Sequence, residues 1–357
     1  MKPSAIDPNR RRCLRLLAAA PLLTLAGCAR EPTTFIEEGF TVFHAPVLLK
    51  FANVEPGAAQ AVLSEAEAYM QPFYQRIHPW KDSDLTRLNA RLKAGETVQV
   101  DEEMLGLLRE GKRLSQMTDG VFDPAAGELF AKWGFHSNHP ERDRKPPPES
   151  WLAAWRADVP RMDDLVIEGD RVRSTNPRLQ LDLNAMAEGM AARHVLARAT
   201  AVGVNNMIFD PGGDLGVLGR AGDRPWSLGI RDPFGSHGQT LAGIMLEGRW
   251  GLFSSGTYEK RFRIDGKDYS HLLNPTTGWP AREIVGSTVL HADPVVADAA
   301  ATALTIIGPQ QAVPTAQRLG LSGFAMVDVD RHLYLSASWA DRLKLVDKNL
   351  PVTVLTS

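Results

Sequence analysis

From Phe40 to Asn53 apolar and polar residues alternate closely enough to predict a β-strand. The segment before it, Glu31 to Glu38, is polar and reads as a short tether. Pro56-Gly57 then opens a helical pattern, with Ala61, Val62, Glu65, Ala68 and Tyr69 at helical spacing. Asp101 is placed to cap a helix over Glu102 to Met117, which ends at Asp119-Gly120. Ser137 to Ser150 is rich in proline and charge and reads as an exposed loop. Val166–Glu168 and Arg171–Ser174 meet at Gly169-Asp170 as a hairpin. A helix follows from Ala185 to about Ala201. Strands dominate after it: Met207–Asp210, Leu215–Leu218, Trp226–Arg231, Leu241–Leu246, Gly251–Ser255, Arg261–Ile264 and Ile284–His291. A helix over Val295–Ile307 and a second after Pro309 precede Phe324–Val329 and Leu333–Leu335, which are expected to close the chain as a hairpin. Strands that pair with sequence neighbours, with helices packed on them, define an α+β fold of mixed, largely antiparallel sheets.

The first thirty residues follow a different rule. Arg10, Arg11, Arg12 and Arg15 form a basic cluster, an apolar run extends from Leu16 to Leu25, and Leu25-Ala26-Gly27-Cys28 ends it. That order describes an export signal. The run is too short for a membrane span, which needs about 20 apolar residues. The Leu-Ala-Gly-Cys ending resembles the lipobox of bacterial lipoproteins. It implies cleavage before Cys28 and lipid on its thiol. The expected organisation is a signal peptide over 1–27, a lipidated tether over 28–39 and one domain over 40–350. The anchor places the body at a bacterial cell membrane, facing the periplasm.

Composition adds limits. Hydrophobic residues make up 44% and charged residues 23% of the chain, as in ordinary globular proteins. A net charge of −2 offers no basic footprint for nucleic acid. The two cysteines are Cys13 and Cys28, so the processed body has no thiol left for a disulfide. Its stability must come from an apolar core.

Candidate chemistry is scattered. Asp298 and Thr302 stand at i, i+4 among alanines and so share one helix face. Two such oxygens suit a hard cation such as Mg²⁺, although the same pair is equally a polar stripe on a core helix. Pro211-Gly212-Gly213-Asp214 joins two strands, either as a tight turn or as a place where backbone approaches a ligand. His271 precedes the turn at Pro275-Thr276-Thr277-Gly278 and becomes a candidate base if it lies near a metal. Phe122-Asp123-Pro124-Ala125-Ala126-Gly127 reads as a helix end turning into a loop, followed by Trp133-Gly134-Phe135. These aromatics belong to a core or wall a ring-binding pocket.

Taken in order, the motifs say more. The chain carries Asp82-Ser83-Asp84-Leu85-Thr86, Asp119-Gly120-Val121-Phe122-Asp123-Pro124, Leu181-Asp182-Leu183-Asn184-Ala185, and Gly212-Gly213-Asp214. Ser254-Ser255-Gly256-Thr257-Tyr258, His271 to Gly278, and Ala297-Asp298-Ala299-Ala300-Ala301-Thr302 follow. This series, over about residues 40 to 345, resembles the ApbE-like family, the FAD:protein FMN transferases. The resemblance implies an ApbE-like, T-fold-like architecture. It implies an enzyme that binds FAD and Mg²⁺ and moves FMN onto a Thr or Ser hydroxyl of an acceptor flavoprotein, with release of AMP.

By resemblance, Asp298 and Thr302 match metal-binding side chains, and Ala185 matches a carbonyl ligand of the metal. Asp182, Glu188, Val121, Phe122, Asp123, Leu272 and Leu273 match FAD contacts. Trp80 is expected to stack on a ring of FAD. His271 matches a histidine beside the pyrophosphate, and with Asp298 it is the expected catalytic pair. The sequence departs from the family at several positions. Glu188 stands for a common lysine, Asn184 for glycine, Asn274 for aspartate and Thr257 for aspartate. Phe43-His44-Ala45-Pro46 stands where Met-Gly-Thr or Phe-Gly-Thr is expected. The acceptor is expected in a membrane electron-transfer complex. Alternatives are an FAD pyrophosphatase yielding FMN and AMP, and a non-catalytic flavin-binding lipoprotein of a respiratory system.

Overall fold

A computed structural model describes residues 32–42, 45–139, 143–236 and 238–356. The expected signal peptide and Cys28 lie outside the described residues, as do Phe43 and His44. Among the described residues no helix is long and apolar enough to cross a membrane.

The first element corrects the sequence reading. Two strands, β1 (Phe35–Val42) and β2 (Ala45–Ala52), stand where one was expected. They pair antiparallel, from Phe35 opposite Ala52 to Val42 opposite Ala45. The tether expected over 28–39 therefore ends in a sheet from Phe35 onward. Helix α1 (Pro56–Arg76) follows and runs on through Pro72. Next come α2 (Asp84–Lys93), β3 (Val98–Gln99) and α3 (Glu102–Met117). Ser83 and Thr86 close a capping box on α2, and Asp101 accepts from the Met104 N–H at the start of α3. The stretch read as a helix end does the reverse: α4 (Gly127–Lys132) begins there. Helix α5 (Glu149–Ala157) starts inside the end of the expected loop. The hairpin β4 (Leu165–Glu168) and β5 (Arg171–Ser174) is as the sequence suggests.

A 3-10 turn at Asn184–Met186 leads into α6 (Ala187–Ala201). Strands β6 (Met207–Asp210), β7 (Leu215–Leu218), β8 (Trp226–Arg231), β9 (Thr240–Leu246), β10 (Trp250–Gly256), β11 (Arg261–Ile264), β12 (Lys267–Ser270) and β13 (Ile284–His291) come next. The end of the chain carries α7 (Pro294–Ile307), α8 (Pro309–Leu319), β14 (Gly323–Asp328), β15 (Leu333–Ser336), β16 (Lys344–Leu345) and β17 (Val352–Leu355). The β14–β15 hairpin does not close the fold, because β17 adds parallel to β15.

The main sheet has nine strands in the order β1-β2-β6-β7-β10-β13-β14-β15-β17. Every pair in it except β15–β17 is antiparallel. Its central strands are buried on both faces. Phe253, Val289, Phe324 and Met326 face the helices, while Leu252, Leu290, Ala325 and Val327 face a second layer. That layer is the β8–β9–β16 sheet, which brings Trp226, Leu228, Ile230 and Ile244. Each such fully buried side chain contributes roughly 1.5–3 kcal/mol. This reservoir lets the molecule tolerate charge repulsion elsewhere. A third, aromatic cluster of Leu129, Trp133, Trp155 and Leu273 fixes α4 and α5 against the 274–279 turn. Trp133 Nε1 donates to the Gly278 carbonyl at 2.9 Å and Trp155 Nε1 to that of Pro275 at 2.6 Å. The α+β class with largely antiparallel sheets is what the chain adopts.

Candidate active site

A cleft of about 650 Å³ opens between α1, α6, α7 and the turns at the strand ends. The residues expected to hold FAD and the metal line it: Trp80, Val121, Phe122, Asp123, Asp182, Ala185, Glu188, His271, Leu272, Leu273, Asp298 and Thr302. The fold thus brings together residues as distant as Trp80 and Thr302.

The acidic end is built by close helix packing. Gly189, in the first turn of α6, lies against α7 so tightly that a Cβ there would sit 2.7 Å from the Val295 Cα. That approach lets the Gly189 N–H donate to Asp298 Oδ2 at 2.8 Å, which fixes the carboxylate. Thr302, one turn along α7, shares a 3.1 Å hydrogen bond with the Ser255 hydroxyl. Asp214 comes from the β6–β7 turn, where Gly212 and Gly213 take φ of 126° and 113°. Only glycine adopts such angles without strain. Both glycine N–H groups donate to Asp210 Oδ1, and the Ser254 N–H donates to Asp214 Oδ1 at 2.7 Å.

Asp298 and Asp214 are pushed well up from ordinary carboxylate values, first by burial and then by neighbouring carboxylate charge. Glu188 is also raised, with burial as the main cause. Tyr74 faces the same group, and burial together with the charges of Glu188, Asp298 and Asp214 keeps its hydroxyl protonated. Carboxylates gathered in a poorly solvated cleft repel one another unless a cation joins them. Among the described residues no three acidic or histidine side chains close a preformed metal cage. The donors present are one fixed carboxylate, a hydroxyl and nearby carbonyls. That oxygen set suits a hard cation that keeps water and takes ligand phosphate as further donors.

The opposite wall is aromatic. Trp80 stacks on His136 with ring centroids 5.3 Å apart and planes at 21°, and Phe130 lies against the same imidazole at 6.1 Å and 14°. One face of Trp80 is therefore covered by His136. His136 Nε2 meets Asp182 Oδ2 at 2.7 Å, and Asp182 Oδ1 accepts from the Asn184 N–H. Burial would raise Asp182, but the hydrogen bond and charge of His136 hold it below the usual carboxylate range. Asp123 is knotted into its own loop. It accepts from the Ser115 hydroxyl and from the N–H groups of Ala125 and Met162, and burial pushes it up to about 6.

His271 lines the same cleft. Its Nδ1 lies 3.1 Å from the Lys260 carbonyl, which can only accept, so Nδ1 carries the proton and Nε2 keeps its lone pair. Burial and the Lys260 charge push the imidazole down to about 4, so it is neutral at neutral pH. The reading from sequence left out Tyr74, His136 and Lys260 as site residues, and it named Asp214 only as part of a turn. Lys260 lies two residues past the Ser254–Tyr258 motif, which is the signal available for it.

The cleft thus combines an aromatic wall, an acidic corner of oxygen donors and a neutral histidine. The sequence profile of the ApbE family matches residues 41–325, and the chain belongs to that family. The FAD:protein FMN transferase of Rhodobacter capsulatus is 33% identical over 352 residues, covering 98% of this chain and 66% of its own length. That of Vibrio cholerae is 29% identical, covering 88% of this chain and 94% of its own. The crystal structure of the ApbE protein of Thermotoga maritima superposes with a TM-score of 0.73 at 25% identity, covering 84% of this chain and 96% of that one.

Proposed function

We propose that the protein is an FAD:protein FMN transferase, dependent on Mg²⁺, that loads FMN onto a threonine or serine of an acceptor flavoprotein. The observation that carries this reading is the acidic group of buried Asp298 with half-buried Glu188 and Asp214, in one cleft with neutral His271. Asp298, Thr302 and the Ala185 carbonyl would hold Mg²⁺, which supplies Lewis-acid stabilisation of phosphate charge. The stacked Trp80 and His136, with Leu272 and Leu273, give an apolar wall for the flavin. The acceptor hydroxyl oxygen forms a new bond to the phosphorus of the FMN half. The bond from that phosphorus to the AMP oxygen breaks, and AMP leaves with its electron pair. The hydroxyl proton passes to Nε2 of His271, which the Lys260 carbonyl aims and tautomerises. Positioning and charge stabilisation supply most of the rate in such transfers.

Incubation with FAD, Mg²⁺ and a flavoprotein acceptor tests the reading. Covalent FMN on the acceptor, seen by mass, with stoichiometric AMP is expected. Free FMN and AMP with unmodified acceptor would point to a pyrophosphatase instead, and tight flavin binding without turnover to a carrier.

The lipobox-like ending supports a lipid anchor on Cys28 that holds the enzyme on the periplasmic side of a bacterial membrane. Tethering raises the local concentration of membrane-bound electron-transfer acceptors without new contacts. Cys28→Ser is expected to move the protein from the membrane pellet to the soluble fraction. A variant that still pelleted would rule the anchor out.

A further inference from the structure

Lys260 lies between β10 and β11 and does two things at once. Its carbonyl accepts from the His271 backbone N–H at 2.9 Å and takes the ring Nδ1–H at 3.1 Å. Its side chain lines the same cleft as Asp182, Glu188 and Asp298. Its charge acts on Asp182, Glu188 and His271, all of which line that cleft with it.

Neighbouring cations are already engaged. Arg261 and Arg263 pair with Asp268. Arg231, which also lines the cleft, pairs with Glu259 and lies over the Tyr258 ring. Arg144, whose charge also reaches His271, lies over the Phe135 ring. Among the described residues Lys260 forms no ion pair, so its charge is not committed to holding the fold. The cleft is otherwise acidic, and a diphosphate entering it meets Asp182, Glu188, Asp214 and Asp298. A hard cation at Asp298 answers that repulsion at one corner. The His271 side needs a positive charge of its own.

We propose that Lys260 is a substrate-binding cation that pairs with the diphosphate of FAD on the His271 side of the cleft. The proposal rests on the FMN-transfer reading for its choice of ligand. It assigns the positive charge facing Glu188 to the β10–β11 turn. A flexible ammonium is suited to following the phosphate as the bond to AMP lengthens. The same residue then links substrate capture to the aim of the base, because its backbone holds His271.

Calorimetric titration of the full protein with FAD and with riboflavin, in the presence of a chelator, tests this without turnover. Lys260 is exposed and its carbonyl survives substitution, so Lys260→Ala keeps the His271 hydrogen bonds. It should weaken FAD binding about tenfold, the scale of one partly solvated charged contact, and leave riboflavin, which has no phosphate, unchanged. Lys260→Arg should recover most of the FAD affinity. Unchanged FAD affinity in Lys260→Ala, or an equal loss for riboflavin, would overturn the proposal. Wild-type protein that bound FAD but loaded no acceptor would refute the transferase reading alone, since the Lys260 comparison depends only on affinities.

Discussion

Asp298→Asn is expected to abolish FMN transfer while raising the melting temperature of the metal-free protein. The two effects have one cause. Asp298 is buried beside half-buried Glu188 and Asp214, and their charges add to the cost of ionising it. Asparagine keeps an oxygen for the Gly189 N–H, so the α6–α7 contact survives. It removes an ionisable group whose charged form is disfavoured there, so that cost falls away. A gain of about 1 kcal/mol corresponds to roughly 2–4 °C in a chain of moderate size, and less in a larger one. Activity moves the other way. A metal's Lewis-acid contribution is several kcal/mol, so transfer should fall by about 10²–10⁴-fold. Mg²⁺ should raise the melting temperature of the wild type, because a ligand that binds only the folded state stabilises it. That rise should be absent in the variant. Differential scanning fluorimetry with and without Mg²⁺, alongside the acceptor-loading assay, reads all three. A variant that melts lower without metal, or that responds to Mg²⁺ like the wild type, would remove Asp298 from the metal site.

The same residue shows what sequence could reveal. Asp298 and Thr302 were visible because their spacing is local: four residues on one helix face. The strand Ile284–His291 and the helix after it were visible because apolar runs end at Asp293-Pro294 and Gly308-Pro309. The cap at Asp101 was visible for the same local reason. What failed was tertiary. β1 is an edge strand, with Phe35, Glu37, Glu38 and Gly39 all exposed, so its pattern looked like a tether. Helix α4 is only six residues long and holds its place through Trp133 and a backbone contact from Gly127 to Gln180. The Ser83–Thr86 capping box at the start of α2 is a local signal of the same kind as the cap at Asp101. In the site, His136 meets Asp182 across 46 residues of chain, and the sign of that pairing is invisible in either segment alone. Lys260 was hidden for a further reason. Its backbone acts on His271 while its side chain faces the cleft, and no residue-type pattern encodes a carbonyl's aim.

His271→Gln is the second large effect. The buried imidazole is held down to about 4, so at neutral pH it carries one proton, on Nδ1, and can accept another at Nε2. Glutamine can still donate an amide proton to the Lys260 carbonyl but cannot take the proton from an acceptor hydroxyl. Loss of a general base costs about 10²–10⁴-fold, so kcat should fall on that scale while the KM for FAD changes little. The pH dependence follows from the direction of the shift. In the free enzyme the neutral form is already complete well above pH 4, so kcat/KM should show no His271-dependent acid limb near 6.5. Stability has a definite sign as well. The folded value lies below the unfolded one, so protons favour the unfolded chain, and stability present above 6.5 is lost as pH falls toward about 4. Rates are therefore best compared between about pH 5 and 8, where His271 in the folded free enzyme is mostly to fully neutral. An undiminished kcat in His271→Gln would end the base assignment. A limb near 6.5 that vanished with the substitution would instead show an imidazole open to solvent, contrary to the burial that keeps the ring neutral while the Lys260 carbonyl holds its proton on Nδ1.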